Sequence, residues 1–131
     1  MRRDTGARRF MTGTPAIPSY LAAQPGFEIV ARIGVEAIRE KSLRLTERMI
    51  GWAGEFDIRL GSPREPARRG GTVCLDVPHA ERVCAALLAG DVLLDHRPGV
   101  GIRLAPHFYT RDDEVDAVMR RVRDEVKRAA A

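Results

Sequence analysis

Seven residues set the strongest constraint on this chain: Ala31, Val35, Ile38, Ser42, Leu45, Met49 and Trp52 recur at alternating steps of four and three. At 3.6 residues per turn that spacing puts all seven on one stripe of an α-helix. Glu36, Arg39, Glu40, Arg44, Glu47 and Arg48 fill the other faces. Glu40 and Arg44 stand at i,i+4, a pair worth about 0.2–0.5 kcal/mol on an exposed helix. Three heptads ending at Gly54 pack on their own domain more readily than they build a coiled coil.

The rest of the chain is cut into shorter pieces. Residues 1 to 18 are expected to be irregular, because Pro15, Pro18 and Gly13 break a regular helix. Ser19 to Ala23 is expected to form a short helix ending before Pro25-Gly26. After the long helix, Phe56 to Leu60 alternates like a half-buried strand and Gly61-Ser62-Pro63 closes it. Thr72 to Val77 predicts a second strand. Pro78 and Gly90 frame a helix whose Ala80, Val83, Cys84, Leu87 and Leu88 share a face. Asp91 to Asp95 predicts a third strand, Pro98-Gly99 a turn, and Val100 to Ala105 a fourth strand. Thr110 suits the N-cap of a last helix, with Asp113 placed for a capping box and Val115, Val118, Val122 and Val126 as its buried face. The expected fold class is α+β: a long helix, then a short mixed or antiparallel sheet covered by helices on one face.

Composition narrows the function classes. The 131 residues suffice for one domain and a modest core, and 44% hydrophobic with 31% charged residues is an ordinary balance for a folded chain. No apolar run approaches the roughly 20 residues that span a bilayer, and none follows the charged Met1-Arg2-Arg3-Asp4, so neither a membrane partner nor a secretory leader is expected and the default location is cytoplasmic. Of the 22 basic residues only Lys41 and Lys127 are lysine. The arginines alternate with Glu and Asp along helices and aromatics make up 5%, so the basic stripe with interleaved aromatics that a nucleic-acid partner requires is missing. Cys74 and Cys84 lack metal-ligand spacing and are expected to be buried, reduced thiols. No metal site is expected, and His79, His96 and His107 stand without a matching nucleophile or carboxylate.

Residues 91 to 110 carry the most chemistry. Arg103 sits between Ile102 and Leu104 in an alternating strand. A guanidinium there must meet an anion or reach solvent, since an unpaired buried charge is too costly. Alternation alone leaves both readings open.

Gly13-Thr14-Pro15, Arg68-Arg69-Gly70-Gly71-Thr72-Val73, Asp95-His96-Arg97-Pro98, Gly101-Ile102-Arg103-Leu104-Ala105-Pro106 and Tyr109-Thr110 occur in one order and spacing. Together they resemble the C-terminal part of kynureninases, from about Phe10 to Lys127. Kynureninases are fold-type I pyridoxal-phosphate enzymes related to class V aminotransferases. The resemblance implies hydrolysis of L-kynurenine or 3-hydroxykynurenine to the anthranilate and L-alanine, with pyridoxal 5'-phosphate as electron sink. It implies that Arg103 binds the substrate's α-carboxylate, where a planar fork fits well. It also implies that Thr14 donates to the cofactor phosphate across the interface of a homodimer. Residues 1 to 18 then belong with the large domain and interface, and 19 to 131 form the small domain. No catalytic residue is expected in this chain. The Schiff-base lysine belongs to the large domain, and Lys41 and Lys127 both stand on charged helical stretches rather than in the shielded pocket such a lysine needs. The chain is therefore expected to need a large-domain partner and to hold no cofactor stably alone. Arg68-Arg69-Gly70-Gly71 leads into a strand and is assigned no ligand.

Two alternatives stand beside this reading. One is a non-catalytic domain that dimerises through the helix stripe at Leu45. The other is a class V relative such as a cysteine desulfurase or aminotransferase, in which the Gly-Ile-Arg motif also binds an amino-acid carboxylate. Desulfurase chemistry wants an exposed nucleophilic cysteine.

Overall fold

The computed structural model describes residues 5–11 and 13–131. Met1 to Asp4 and Thr12, part of the segment expected to be irregular, lie outside them. The chain divides into two compact units, residues 1–35 and 36–131.

In the first unit a 3-10 turn, Gly6–Phe10, precedes α1, Ile17–Ile33. The short helix expected to stop before Pro25 is instead 17 residues long with Pro25 inside it. Proline at that point removes the donor to the carbonyl four residues earlier. None of the residues of α1 is buried, so water can serve the Leu21 carbonyl, and Pro18 in the first turn is well placed for a helix start. The helix ends at Gly34, whose φ of 89° only glycine adopts cheaply.

That glycine cuts the seven-residue stripe. α2 spans Val35–Glu55, and Ala31 falls on α1. From Ile38 onward the stripe is partly internal: Leu45 and Met49 are buried, Ile38, Ser42 and Trp52 are half-buried, and Thr46, Ile50 and Ala53 complete the buried face. Leu45 is 0% exposed and part of the hydrophobic core, so it offers no surface for the dimerising alternative. Arg44 also departs from expectation. It pairs with Asp112 at the start of the last helix rather than with Glu40.

Four strands form one antiparallel sheet in the order β1-β2-β4-β3: β1 Arg59–Leu60, β2 Val73–Asp76, β3 Asp95–Arg97 and β4 Gly101–Leu104. All three pairings are antiparallel, which resolves the mixed-or-antiparallel expectation. The third strand was expected at 91–95 and begins where that expectation ended. Val92 is buried, Leu93 is 92% exposed, and the ladder starts only at Asp95. An apolar triplet cannot by itself distinguish a strand from a loop that buries one side chain.

The sheet has one dry face. Val73 pairs with Leu104 and Leu75 with Ile102, and all four are buried. Against them pack α2, α3 (Ala80–Ala89, through Val83, Cys84 and Leu87) and α4 (Asp112–Ala130, through Val115, Met119 and Val122). Val118 and Val126 are only partly buried, so the inner face of α4 includes Met119 and Ala129 beside the expected valines. The α4 cap also shifts by one residue. Arg111 precedes the helix, and its backbone N–H donates to the Glu114 carboxylate at 2.7 Å. Thr110 Oγ1 instead accepts from the His107 N–H at 3.0 Å.

A seam of charge and aromatic rings joins α2 to α4. Arg48 donates twice to Asp116, at 2.5 and 2.6 Å, and Trp52 Nε1 donates to the same carboxylate at 2.7 Å. These donors hold the Asp116 carboxyl well below the usual carboxylate range, the Arg48 hydrogen bond first and the Trp52 bond second. Arg120 lies over the Trp52 ring and Arg123 over Phe56.

Candidate carboxylate-binding site

Arg103 stands on the open face of the sheet, the second residue from the end of β4. Its neighbours Ile102 and Leu104 point into the core, as strand alternation requires. Across the ladder, Asp95 on β3 and Cys74 on β2 are its register partners. Asp95 meets it with both oxygens: Arg103 Nε donates to Oδ1 at 2.9 Å and Nη2 to Oδ2 at 2.5 Å. Arg97 donates to the same Oδ2 at 2.8 Å. The two side chains are 41% and 38% exposed, so Arg103 meets both an anion and water. The Asp95 carboxyl is held below its ordinary pKa, chiefly by the Arg103 hydrogen bond.

On the other side the row continues with small residues. Cys74 is half-buried, its N–H donates to Ser62 Oγ at 2.8 Å, and Gly61 N–H donates to its carbonyl at 2.8 Å. A Cβ at Gly61 would sit 2.8 Å from the Val100 carbonyl oxygen and 3.3 Å from Cys74 Cβ, so this end of the row admits no side chain. Cys74 thus departs from the expectation of a buried thiol. Cys84 fulfils it, and burial raises its pKa.

The turn that makes this row depends on Gly101. Its φ is 112°, and an added Cβ would run into the Leu75 carbonyl oxygen. The hairpin therefore turns through Pro98-Gly99 with Arg97 opposite Gly101. Asp95 and Arg103 are equally distant from Gly99, a symmetry that could have paired them from the sequence once the turn was centred there.

The remaining candidate residues have separate places. Thr14 is exposed, in a bend of the first unit between the 3-10 turn and α1. Lys41 is half-buried on α2 and Lys127 is exposed near the end of α4. A Schiff-base lysine needs a shielded pocket, and neither lysine is fully buried. His79 precedes α3, His96 lies in β3, and His107 packs against the Phe108 and Tyr109 rings. Among the described residues no three His, Cys, Asp or Glu side chains are grouped to hold a metal. Arg69 is internal: its side chain is 1% exposed and it donates to the Pro63 and Arg64 carbonyls and to Glu47. It ties the loop before β2 to α2. A cleft of ≈ 670 Å³ lies between the segment after β4 and α4, lined in part by Pro106, His107, Tyr109 and Glu114, and Arg103 is not in its wall.

Residues 38–122 match the kynureninase C-terminal domain family. The chain belongs to that family. It is 38% identical over 114 residues to a kynureninase of Bacillus cereus strain ATCC 14579, covering 83% of this chain and 27% of the relative. A Deinococcus radiodurans kynureninase is 35% identical over 96 residues, 70% of this chain and 23% of the relative. The chain thus spans about a quarter of the length of these kynureninases. Among solved structures, a cysteine desulfurase from Thermococcus onnurineus NA1 superposes with a TM-score of 0.81 at 24% identity over 92% of this chain and 34% of that one. An alanine–glyoxylate aminotransferase from a Nostoc species gives 0.66 at 17%, over 92% and 34%. These likenesses show the fold alone. Arg103, Asp95 and Cys74 all fall within residues 38–122, which match the family, and Thr14 falls before that span.

Proposed function

We propose that this chain is the carboxylate-binding portion of a kynureninase, acting with a large domain that brings pyridoxal phosphate and its lysine. The substrate is L-kynurenine or 3-hydroxykynurenine, and the products are anthranilate or 3-hydroxyanthranilate and L-alanine. The observation that carries the reading is Arg103: a half-exposed guanidinium on the open face of the sheet, inside the kynureninase match, held by Asp95 with further donor capacity. A planar fork binds a carboxylate through two parallel hydrogen bonds, which fixes the amino acid's orientation as well as its affinity. The cofactor, when bound, supplies the electron sink for carbon–carbon cleavage. Arg103 anchors the α-carboxylate end, and Thr14 donates to the cofactor phosphate from the partner subunit of a homodimer. Residues 1–18 serve that interface and 19–131 the small domain.

The family match favours kynureninase over the desulfurase and aminotransferase alternatives, whose likeness is one of fold. Mixing this chain with a large domain taken from a kynureninase relative, plus pyridoxal phosphate, is expected to give kynurenine cleavage that neither part gives alone. Absence of cleavage in a mixture that forms a stable complex overturns the proposal.

A further inference from the structure

We propose that Asp95 is the positioning residue of the carboxylate receptor: it grips one edge of the Arg103 guanidinium and leaves the other edge to the substrate. This rests on the reading of Arg103 given above and adds a partner that sets its geometry.

A guanidinium offers two edges, each with two donors in a plane. Asp95 takes the edge made by Nε and Nη2. Among the described residues nothing accepts from Nη1, so the edge made by Nη1 and Nη2 is open for a second carboxylate. The charge balance agrees. Asp95 also receives Arg97, so one carboxylate faces two guanidiniums and the cluster keeps a net positive charge. The ladder fixes where the grip comes from, because Asp95 and Arg103 are direct register partners. On the opposite side Cys74 and Gly61 are small, and neither competes for the free edge. Without Asp95 a half-exposed Arg has many rotamers, and most point its fork away from a fixed substrate.

The reconstituted pair of chain and large domain provides the test. Asp95→Asn is expected to raise the KM for kynurenine about tenfold, the scale of one lost charge-assisted pair, with kcat and cofactor absorbance little changed. Asp95→Glu, which keeps the charge, should recover part of that loss, and it carries the test if Asp95→Asn does not fold. An unchanged KM with a lowered melting temperature makes Asp95 a sheet pin and overturns the proposal. A lowered KM also overturns it, since Asp95 would then be competing for the substrate's place. Arg103→Lys run in parallel separates the two claims. If it raises KM while Asp95→Asn does not, only the positioning role fails; if neither moves KM, the carboxylate reading fails. If the pair shows no turnover, L-alanine is titrated into the chain alone and the Arg103 Nε–H NMR signal followed. A shift in the wild type that Asp95→Asn abolishes supports the proposal, and one that persists in Asp95→Asn, or no shift at all, overturns it.

Discussion

A guanidinium between two core residues has few places to go, and Arg103 uses the one the strand geometry leaves it. Exchanging it for lysine replaces a planar fork with a point charge. Arg103→Lys in the reconstituted enzyme should raise the KM for kynurenine strongly while cofactor uptake, followed by absorbance, stays intact; equal loss of both would mark Arg103 as structural. Gly101 makes the complementary case. Its φ of 112° and the Leu75 carbonyl beside it leave no room for a Cβ, so Gly101→Ala should cost at least about 1–3 kcal/mol in urea unfolding. A midpoint within error of wild type would contradict that geometry. The face on which Arg103 stands was legible from its alternation with Ile102 and Leu104. Its pairing with Asp95 was not, because that comes from a ladder register set by the turn between them.

At the scale of elements the helices were easier to find than to end. Periodicity ran the long helix through Gly34, since a lone glycine inside a helical pattern is often tolerated; here its positive φ stops α1. Pro25 misled in the other direction, because a proline breaks a buried helix more surely than one whose carbonyls face water. Of the helix's contribution to the core, Leu45 and Met49 were legible from the stripe, whereas Thr46, Ile50 and Ala53 lie beside it. Leu45→Ala should therefore destabilise by about 2–5 kcal/mol in denaturant unfolding, with no dependence on protein concentration. A concentration-dependent midpoint would revive the dimer-stripe alternative. The α2–α4 seam was not legible, because Arg48 and Asp116 lie 68 residues apart and each alone suits a solvated face. Asp116 has a folded-state pKa below its unfolded one, so its contribution is present above roughly 3.9 and fades as pH falls below that value. Acid unfolding should thus be less steep in Asp116→Asn than in the wild type, read by far-ultraviolet circular dichroism. Identical acid profiles would remove the seam's role.

In the second unit, an antiparallel sheet with one dry face and the Asp95–Arg103 pair on the other suits the carboxylate-binding role proposed above. The α+β class and the one-sided cover by helices were legible because β2 and β4 alternate and α2, α3 and α4 are amphipathic. The first unit has a different character. Tyr20, Leu21 and Phe27 on α1 are exposed, an apolar surface of the sort that marks an interaction site, in keeping with the proposed large domain and partner subunit. No helix among the described residues is long and apolar enough to cross a membrane. If this chain completes a kynureninase by supplying Arg103, the initial rate of kynurenine cleavage at limiting substrate must depend on it. With a fixed amount of large domain and pyridoxal phosphate and increasing amounts of this chain, the rate should rise from zero to a plateau with wild-type chain and stay far lower with Arg103→Lys. A rate that does not depend on the chain, or that Arg103→Lys supports equally well, would contradict it.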